Sequence, residues 1–173
     1  KVDADGKIEY DFVVEESGLL PPAQVDGVGA WDGLVFTWTP SRDLLEDRAY
    51  TVTMSGVADK AGNAAVNLWW TFQIDTKKPQ ITIEWPNRGD YTEGTPDIFA
   101  HVVDAGFSGI DASTIVMKID GEQVVHDFGF ADGEVSYVPA EDLADGMHTV
   151  TIDVKDNAGN AADPIDPAWT FLV

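Results

Sequence analysis

One stretch of this sequence occurs twice. Residues 50–63 begin with Tyr-Thr-Val-Thr and end with Ala-Gly-Asn, and residues 148–160 begin with His-Thr-Val-Thr and end with the same three residues. Each copy leads to a Trp-Thr-Phe sequence, at residues 70–72 and 169–171. A repeat of this length indicates tandem modules that share one fold. The repeating unit is therefore expected to be a whole domain, and the function is to be sought in an array.

The length of the chain suits two small domains. It has 173 residues, and domains commonly have roughly 50–200. The repeat predicts a first domain at residues 1–75, a linker at 76–79 and a second domain at 80–173. The sequence contains no cysteine, which excludes disulfides and thiolate metal sites. Each domain must therefore close its core by packing alone.

The charge argues against two classes of partner. The chain carries 31 acidic and 10 basic residues, for a net charge of −21, and the acidic residues are spread through both halves. Such a surface repels phosphate backbones and anionic lipids, so we expect no nucleic-acid binding. No apolar run approaches the roughly 20 residues of a membrane span, so we expect no membrane insertion. No signal peptide begins at Lys1, and we expect the sequence to be an interior part of a longer protein.

Apolar residues alternate with period two in nearly every run, which is typical of half-buried antiparallel strands. The alternation predicts which side chains face inward. In residues 68–74 it directs Trp70 and Phe72 to the core and leaves Trp69 outside. The predicted core residues are Phe36, Trp38, Trp70 and Phe72 in the first domain and Val150, Ile152, Trp169 and Phe171 in the second.

The second half contains enough strands for a complete sandwich. Seven short strands are predicted, at residues 80–85, 96–103, 113–119, 123–127, 133–138, 148–155 and 168–173. This number of strands indicates a two-sheet sandwich of the immunoglobulin type. The first half has only residues 6–16 as a clear strand before the one that begins at Gly33. We therefore expect the first sandwich to lack its opening strand or strands, which upstream residues or another chain would supply.

The repeated residues resemble a known family. The sequence Phe-Thr-Trp-Thr-Pro at 36–40, the two Thr-Val-Thr strands and the two Ala-Gly-Asn turns are similar to those of bacterial and archaeal Ig-like domains of S-layer proteins, adhesins and large secreted proteins. The resemblance implies an all-β chain of two tandem immunoglobulin-like β-sandwich domains. It also implies an extracellular or cell-surface location and neighbouring Ig-like domains of the same chain as partners. Members of the family serve chiefly as spacers or stalks.

Carboxylates collect in loops that the sandwich topology brings to one pole. The loop before the last strand, the loop after the second strand and the start of the second domain all lie there. Ca²⁺ takes roughly 6–8 oxygen ligands, and residues 75–79 resemble the junctions of calcium-stiffened adhesin arrays. Lys77 and Lys78 oppose such a site, and the alternative is a set of turns without metal. The predicted calcium ligands are Asp75, Asp104, Asp111, Asp156 and Asn160.

The sequence has no pattern that organises catalysis. Its three histidines fall in different strands, so a zinc site is not expected. His148 stands where the first copy has Tyr50, a position that resembles the tyrosine corner of these sandwiches, and its expected role is structural. We therefore expect a protein that is not an enzyme.

Two functions remain open from the sequence. The first is a structural spacer or adhesive stalk of a secreted or cell-surface protein. The alternative is a carbohydrate-binding accessory module of an extracellular polysaccharide-degrading enzyme, because exposed aromatic rings on sandwiches stack on sugars. Trp31, Trp69 and Trp85 are the candidates for that role. Trp31 and Trp85 lie beside turns, where rings often cover the edge of a core, so Trp69 is the predicted sugar-binding residue.

Overall fold

The computed structural model describes residues 11–19, 21–32, 35–46, 48–59, 61–166 and 168–173. The chain divides into two compact units, Lys1–Asp75 and Thr76–Val173. Throughout the described ranges the regular structure is antiparallel β-sheet, with fourteen strands and no helix. This confirms the predicted all-β class of tandem Ig-like sandwiches. None of the described residues belongs to a helix of the length and apolar character that a membrane-crossing helix needs.

The described part of the first unit contains one four-stranded sheet and one hairpin. Its strands are β1 (Asp11–Glu16), β2 (Ala23–Gln24), β3 (Gly27–Asp32), β4 (Val35–Pro40), β5 (Arg48–Ser55) and β6 (Leu68–Ile74). The sheet has the order β2-β1-β5-β6, and β3 and β4 pair only with each other among the described strands. The predicted strand at 6–16 is described only from Asp11, and its first residues lie outside the described range, as do Gly33 and Leu34.

The second unit has two four-stranded sheets. Its strands are β7 (Gln80–Trp85), β8 (Ile98–Val103), β9 (Ile110–Ile119), β10 (Glu122–Gln123), β11 (Asp127–Gly129), β12 (Glu134–Tyr137), β13 (Met147–Asp156) and β14 (Trp169–Leu172). One sheet has the order β10-β9-β13-β14 and the other β11-β12-β8-β7. The single strand expected at 123–127 is wrong, because Gln123 ends β10 in one sheet and Asp127 begins β11 in the other. The crossing of the chain between sheets interrupts the strand there.

The core of the second unit lies between its two sheets. Trp169 and Phe171 of β14 are completely buried, and Val150 and Ile152 of β13 are buried beside them. The indole Nε1 of Trp169 donates a hydrogen bond of 2.8 Å to the carbonyl oxygen of Pro86. That bond matters because a buried indole N–H without an acceptor costs free energy. The residues after β7 therefore close the core over Trp169.

The first unit covers its inner face less completely. Phe36, Trp38 and Phe72 are half-buried, but Trp70 is 44% exposed, so the prediction that Trp70 lies in the core is wrong. The predicted strand phase is not the cause. Trp70 pairs with Val52, which is buried, and paired residues of antiparallel strands point to the same face. Trp70 is exposed because the described strands that oppose it are only the hairpin β3–β4.

As far as the structure describes them, the two units differ by one pair of strands. In the second unit β12 pairs with β8, and β8 pairs with β7. In the first unit β4 occupies the place of β12 in the repeat, yet among the described residues it pairs with β3 alone. The described part of the first unit thus has no counterpart of β7 and β8. Trp169, in the unit that has these two strands, is enclosed, and its repeat partner Trp70 is not.

Candidate functional site

Two acidic loops of the second unit meet at one pole. They are the loop of residues 104–109, after β8, and the loop of residues 156–160, at the end of β13. Asn157 ties them together. Its backbone N–H donates to the carbonyl oxygen of Gly109 at 2.9 Å, and its Nδ2 donates to the carbonyl oxygen of Ser108 at 2.8 Å. The loops are therefore held by direct hydrogen bonds that need no ion.

Asp104 organises the first of these loops. Its Oδ1 accepts a hydrogen bond of 2.9 Å from the backbone N–H of Gly106, and its Oδ2 accepts one of 2.7 Å from the N–H of Gly109. Carboxylates at the start of a turn commonly accept bonds from the amides that follow. Oδ2 also accepts a bond of 3.5 Å from the hydroxyl of Ser108, and Oδ1 keeps a lone pair that these contacts do not use. Asp104 therefore serves the loop and retains capacity to accept a further ligand.

Asp156 organises the second loop and is almost completely buried. Its Oδ1 accepts a hydrogen bond of 2.8 Å from the backbone N–H of Asn160, and its Oδ2 accepts one of 2.7 Å from Nδ2 of the same residue. Burial of a carboxylate is costly unless hydrogen bonds compensate it. The two bonds from Asn160 supply that compensation. The predicted pair Asp156 and Asn160 is thus a bonded unit.

Carboxylate oxygens of Asp104 and Asp156 lie within 4.8 Å of each other. Calcium–oxygen distances are about 2.3–2.6 Å, so one ion is able to contact both carboxylates at this separation. The ammonium group of Lys77 also lies near this site. Nζ of Lys77 lies 3.5 Å from the carbonyl oxygen of Ala105, in the same loop as Asp104. An ammonium group of the chain itself therefore lies beside the loop that carries Asp104.

Asp111, another predicted ligand, has hydrogen-bond partners of its own. Asp111, in β9, accepts hydrogen bonds on Oδ1 from the backbone N–H and the hydroxyl of Ser113, at 3.0 and 2.6 Å. Within the described residues it does not belong to the group of carboxylates that Asp104 and Asp156 form. Asp75 is the last residue of the first unit and follows β6. Lys78 pairs with Asp163 of its own unit.

The first unit repeats the same turn chemistry without burial. Oδ1 of Asp59 accepts hydrogen bonds from the backbone N–H groups of Ala61 and Asn63 at 2.9 and 2.8 Å, and Oδ2 accepts from Nδ2 of Asn63 at 2.7 Å. The side-chain bond from Asn63 is the largest of the causes that lower the pKa of Asp59. Both Ala-Gly-Asn turns therefore use an aspartate as an acceptor for their own amides.

Sequence reasoning missed the partner of His148. Asp120 occupies a two-residue hairpin turn between β9 and β10 with a positive φ of 52°. This turn directs its carboxylate to the neighbouring strand, where Oδ2 lies 2.7 Å from Nδ1 of His148 and Oδ1 accepts from the N–H of Thr149 at 2.8 Å. The Asp-Gly dipeptide signalled the turn. Nothing in it signalled a contact with a residue 28 positions away.

The predicted sugar-binding residue is exposed. Trp69 lies in β6 opposite Thr53, on the face away from the first unit's core, and 73% of its surface is accessible. Strand β6 is the edge of its sheet. An indole in this position is available to a flat ligand, but a single exposed aromatic residue is common on protein surfaces.

Comparison with known proteins finds a match within the second unit. A family model described as a bacterial Ig-like domain matches residues 86–168. The match begins just after β7 and ends just before β14, so it includes strands of both sheets. This part of the chain is similar to that family in sequence as well as in fold. No curated protein matches the chain.

Proposed function

We propose that the chain is a structural module of a secreted or cell-surface protein, which acts as a spacer or adhesive stalk. The observation that carries the proposal is that one sandwich fold is repeated in two compact units that follow each other directly at Asp75 and Thr76. The similarity of residues 86–168 to bacterial Ig-like domains supports it. Arrays of such units hold a distal element away from its anchor.

The chemistry of three turn carboxylates supports a role without catalysis. Asp59, Asp104 and Asp156 each accept hydrogen bonds from the turn in which they lie. General acid–base catalysis needs groups that are free to exchange protons with a substrate. Carboxylates that fix loops stabilise the fold instead. We therefore propose that the module bears load and positions its neighbours, and that it catalyses no reaction.

Mechanical unfolding tests this function. We expect single molecules of residues 1–173, stretched between their ends, to give two separate unfolding events. The larger length increment belongs to the second unit, since each released residue adds about 3.3–3.6 Å. A matched control is Trp169→Ala, which should weaken only the larger event. Extension without a force-resisting event would contradict a mechanical role.

We propose Ca²⁺ as the ion that the acidic pole of the second unit takes. The short separation of the Asp104 and Asp156 oxygens supports this proposal, since both are oxygen ligands of the kind that Ca²⁺ prefers. Asn160, Asp111 and Asp75 remain predicted ligands. A bound ion would stabilise the loops that lie nearest the start of the unit and so resist deformation under load.

We also propose that the first unit is completed by strand pairing with another chain. The supporting observation is the exposure of Trp70, whose repeat partner Trp169 is enclosed. Strand β4 contains no charged residue, and uncharged edge strands readily accept a further strand. Strand addition supplies main-chain hydrogen bonds together with side chains that cover an apolar face.

Carbohydrate binding is the second candidate function. Exposed Trp69 favours it, because a flat aromatic ring in solvent has little value for folding and suits stacking on a sugar ring. A module of this kind would attach an extracellular enzyme to its polysaccharide. Titration of the chain with soluble oligosaccharides, with Trp69→Ala as the comparison, tests this role.

A further inference from the structure

An open cleft of about 410 Å³ lies in the second unit, between the end of β7 and the loop that follows it. Two aromatic side chains, Trp85 and Tyr91, line it together with Glu93 and Asp97. Small-molecule sites commonly have about 300–1,000 Å³ and combine aromatic walls with a few polar groups. Trp85 is 39% exposed and Tyr91 is 82% exposed. The cleft is therefore large enough for a ligand and presents two rings to solvent.

A β-bulge turns Trp85 away from the core. Ile83 of β7 pairs with Ala100 of β8, which is buried, whereas Trp85 pairs with Phe99, the next residue along β8. The register shift leaves Glu84 without a partner in the ladder, so Trp85 lies on the outer face with Phe99 and not on the inner face with Ile83. Bulges often redirect a side chain near a functional site. Strict alternation would have placed Trp85 over the core.

The loop that carries Tyr91 is fixed to the last strand of the unit. The backbone N–H of Thr92 donates to the carbonyl oxygen of Leu172 at 2.8 Å, and the N–H of Leu172 donates to the carbonyl oxygen of Asp90 at 2.8 Å. Tyr91 itself forms a parallel bridge with Leu172. The main chain on both sides of Tyr91 is thus held by β14. A ring on such a backbone is presented to a ligand without an ordering cost for the loop.

The polar groups of the cleft indicate what kind of ligand it takes. Glu93 and Asp97 are acceptors, Thr92 and Thr95 carry hydroxyl groups, and the residues that line the cleft include no lysine, arginine or histidine. Hydroxyl-rich ligands donate hydrogen bonds to carboxylates, and the apolar faces of their rings pack on aromatic side chains. An anionic ligand would meet two carboxylates and a chain with a net charge of −21. The cleft therefore favours an uncharged sugar.

We propose that this cleft binds an uncharged oligosaccharide, which stacks on Trp85 and Tyr91 and donates hydroxyl hydrogen bonds to Glu93 and Asp97. The proposal deepens the second candidate function and moves its site from Trp69 in the first unit to the second unit. It does not depend on the spacer role, because a stalk bears load with or without a bound sugar. A sugar site would make the stalk adhesive.

The test is a calorimetric titration of residues 1–173 with uncharged hexasaccharides: cellohexaose, xylohexaose, mannohexaose, laminarihexaose and hexa-N-acetylchitohexaose. The anionic comparison is hexagalacturonic acid. At least one uncharged sugar should bind saturably, and Trp85→Ala and Tyr91→Ala should each weaken that binding by about tenfold or more. The matched control is Phe130→Ala, which removes an aromatic ring of the second unit that is as exposed as Tyr91 but does not line the cleft, and which should leave the affinity unchanged.

Three results would overturn the proposal. They are the absence of saturable binding by every uncharged sugar, tight binding of hexagalacturonic acid alone, and loss of binding in Trp69→Ala with full affinity in Tyr91→Ala. Tyr91→Ala keeps the test decisive if Trp85→Ala proves unstable, because the Tyr91 side chain is mostly in solvent. The melting curve of the Tyr91→Ala variant should match that of the unaltered chain. None of these results bears on mechanical unfolding, so failure here is distinguishable from failure of the spacer function.

Discussion

Nδ1 of His148 lies 2.7 Å from Oδ2 of Asp120, and Nε2 of the same ring lies 2.7 Å from the carbonyl oxygen of Ala144. Carboxylates and carbonyl groups only accept hydrogen bonds, so both contacts are satisfied when the ring is protonated on both nitrogens, and they favour that form. The nearly buried His148 ring thus occupies the place that Tyr50 holds in the first unit, where the phenol oxygen accepts from the N–H of Leu45 at 2.7 Å.

This pair predicts a pH dependence for the second unit. Burial alone would lower the pKa of His148, but the hydrogen bond to Ala144 and the bond and charge of Asp120 outweigh it, so the pKa is raised above its ordinary value of 6.5. A raised pKa contributes stability that is fully present below 6.5 and is lost as the pH rises through the folded-state value. The melting temperature of residues 76–173 should therefore fall from pH 6 to pH 9.

The carboxylate of Asp120 predicts a second loss of stability of the same unit, at acidic pH. Burial would raise its pKa, but the hydrogen bonds from Thr149 and His148 and the charge of His148 lower it below 3.8. Its contribution is present above that value and is lost as the pH falls through the folded-state value. For the fall in melting temperature between pH 6 and pH 9, the control is His148→Gln, in which the melting temperature should stay nearly constant over that range. An unaltered slope in His148→Gln would show that another group is responsible.

Substitution of the two repeated tryptophans should have unequal effects. Trp169→Ala removes a completely buried side chain and its hydrogen bond to Pro86, and large-to-small changes at such sites cost about 3–5 kcal/mol of unfolding free energy. Trp70→Ala should cost less, since much of that ring is already in solvent. Urea denaturation of the two variants measures both values. Equal losses would indicate that Trp70 is covered in solution.

The two units should behave differently when they are separated. Residues 76–173 contain both sheets of a sandwich and should be monomeric and folded. Residues 1–75 present the edge of β4 and the exposed Trp70, so we expect this fragment to be unstable or to associate. Sedimentation and thermal melting of each fragment provide the measurement. A monomeric 1–75 fragment with a cooperative melt would refute the strand-pairing proposal.

Calcium should stabilise the second unit if the acidic pole binds it. Ligand that binds only the folded state raises stability by about 2.7 kcal/mol at a hundredfold excess over Kd. The readout is the change in melting temperature between excess Ca²⁺ and chelator, which should shrink in Asp104→Asn. The matched control is Asp59→Asn, at the equivalent turn of the first unit. Identical melting with Ca²⁺ and chelator would contradict the calcium proposal.

The sequence predicted the strand phase well because period two is a local property. Trp70 and Trp169 have the same pattern and both face inward, yet only Trp169 is enclosed. Enclosure depends on which strands lie opposite, and alternation along one strand contains no information about them. The bulge at Glu84 shows a second limit, since one unpaired residue reverses the face of Trp85. Strand β3 was missed because its sequence, rich in glycine, has weak strand propensity.

The candidate sites likewise contain contacts that the local sequence predicts and contacts that only the arrangement of the strands determines. The turns at Asp59 and Asp156 follow from the Ala-Gly-Asn sequence, because the aspartate bonds to amides only a few residues ahead. The approach of Asp104 to Asp156 was expected from the general sandwich topology. The contact of Asp120 with His148 joins two strands through a turn, and only the register of β9 against β13 determines it.

Differential scanning calorimetry of residues 1–173 measures whether the chain is two sandwich units of unequal completeness. We expect two transitions, of which the one at higher temperature belongs to the second unit and shifts downward in Trp169→Ala while the other stays in place. Trp70→Ala should shift the lower transition alone. A single transition that both substitutions move together, or a first unit that melts above the second, would show that the chain is not two sandwich units of unequal completeness.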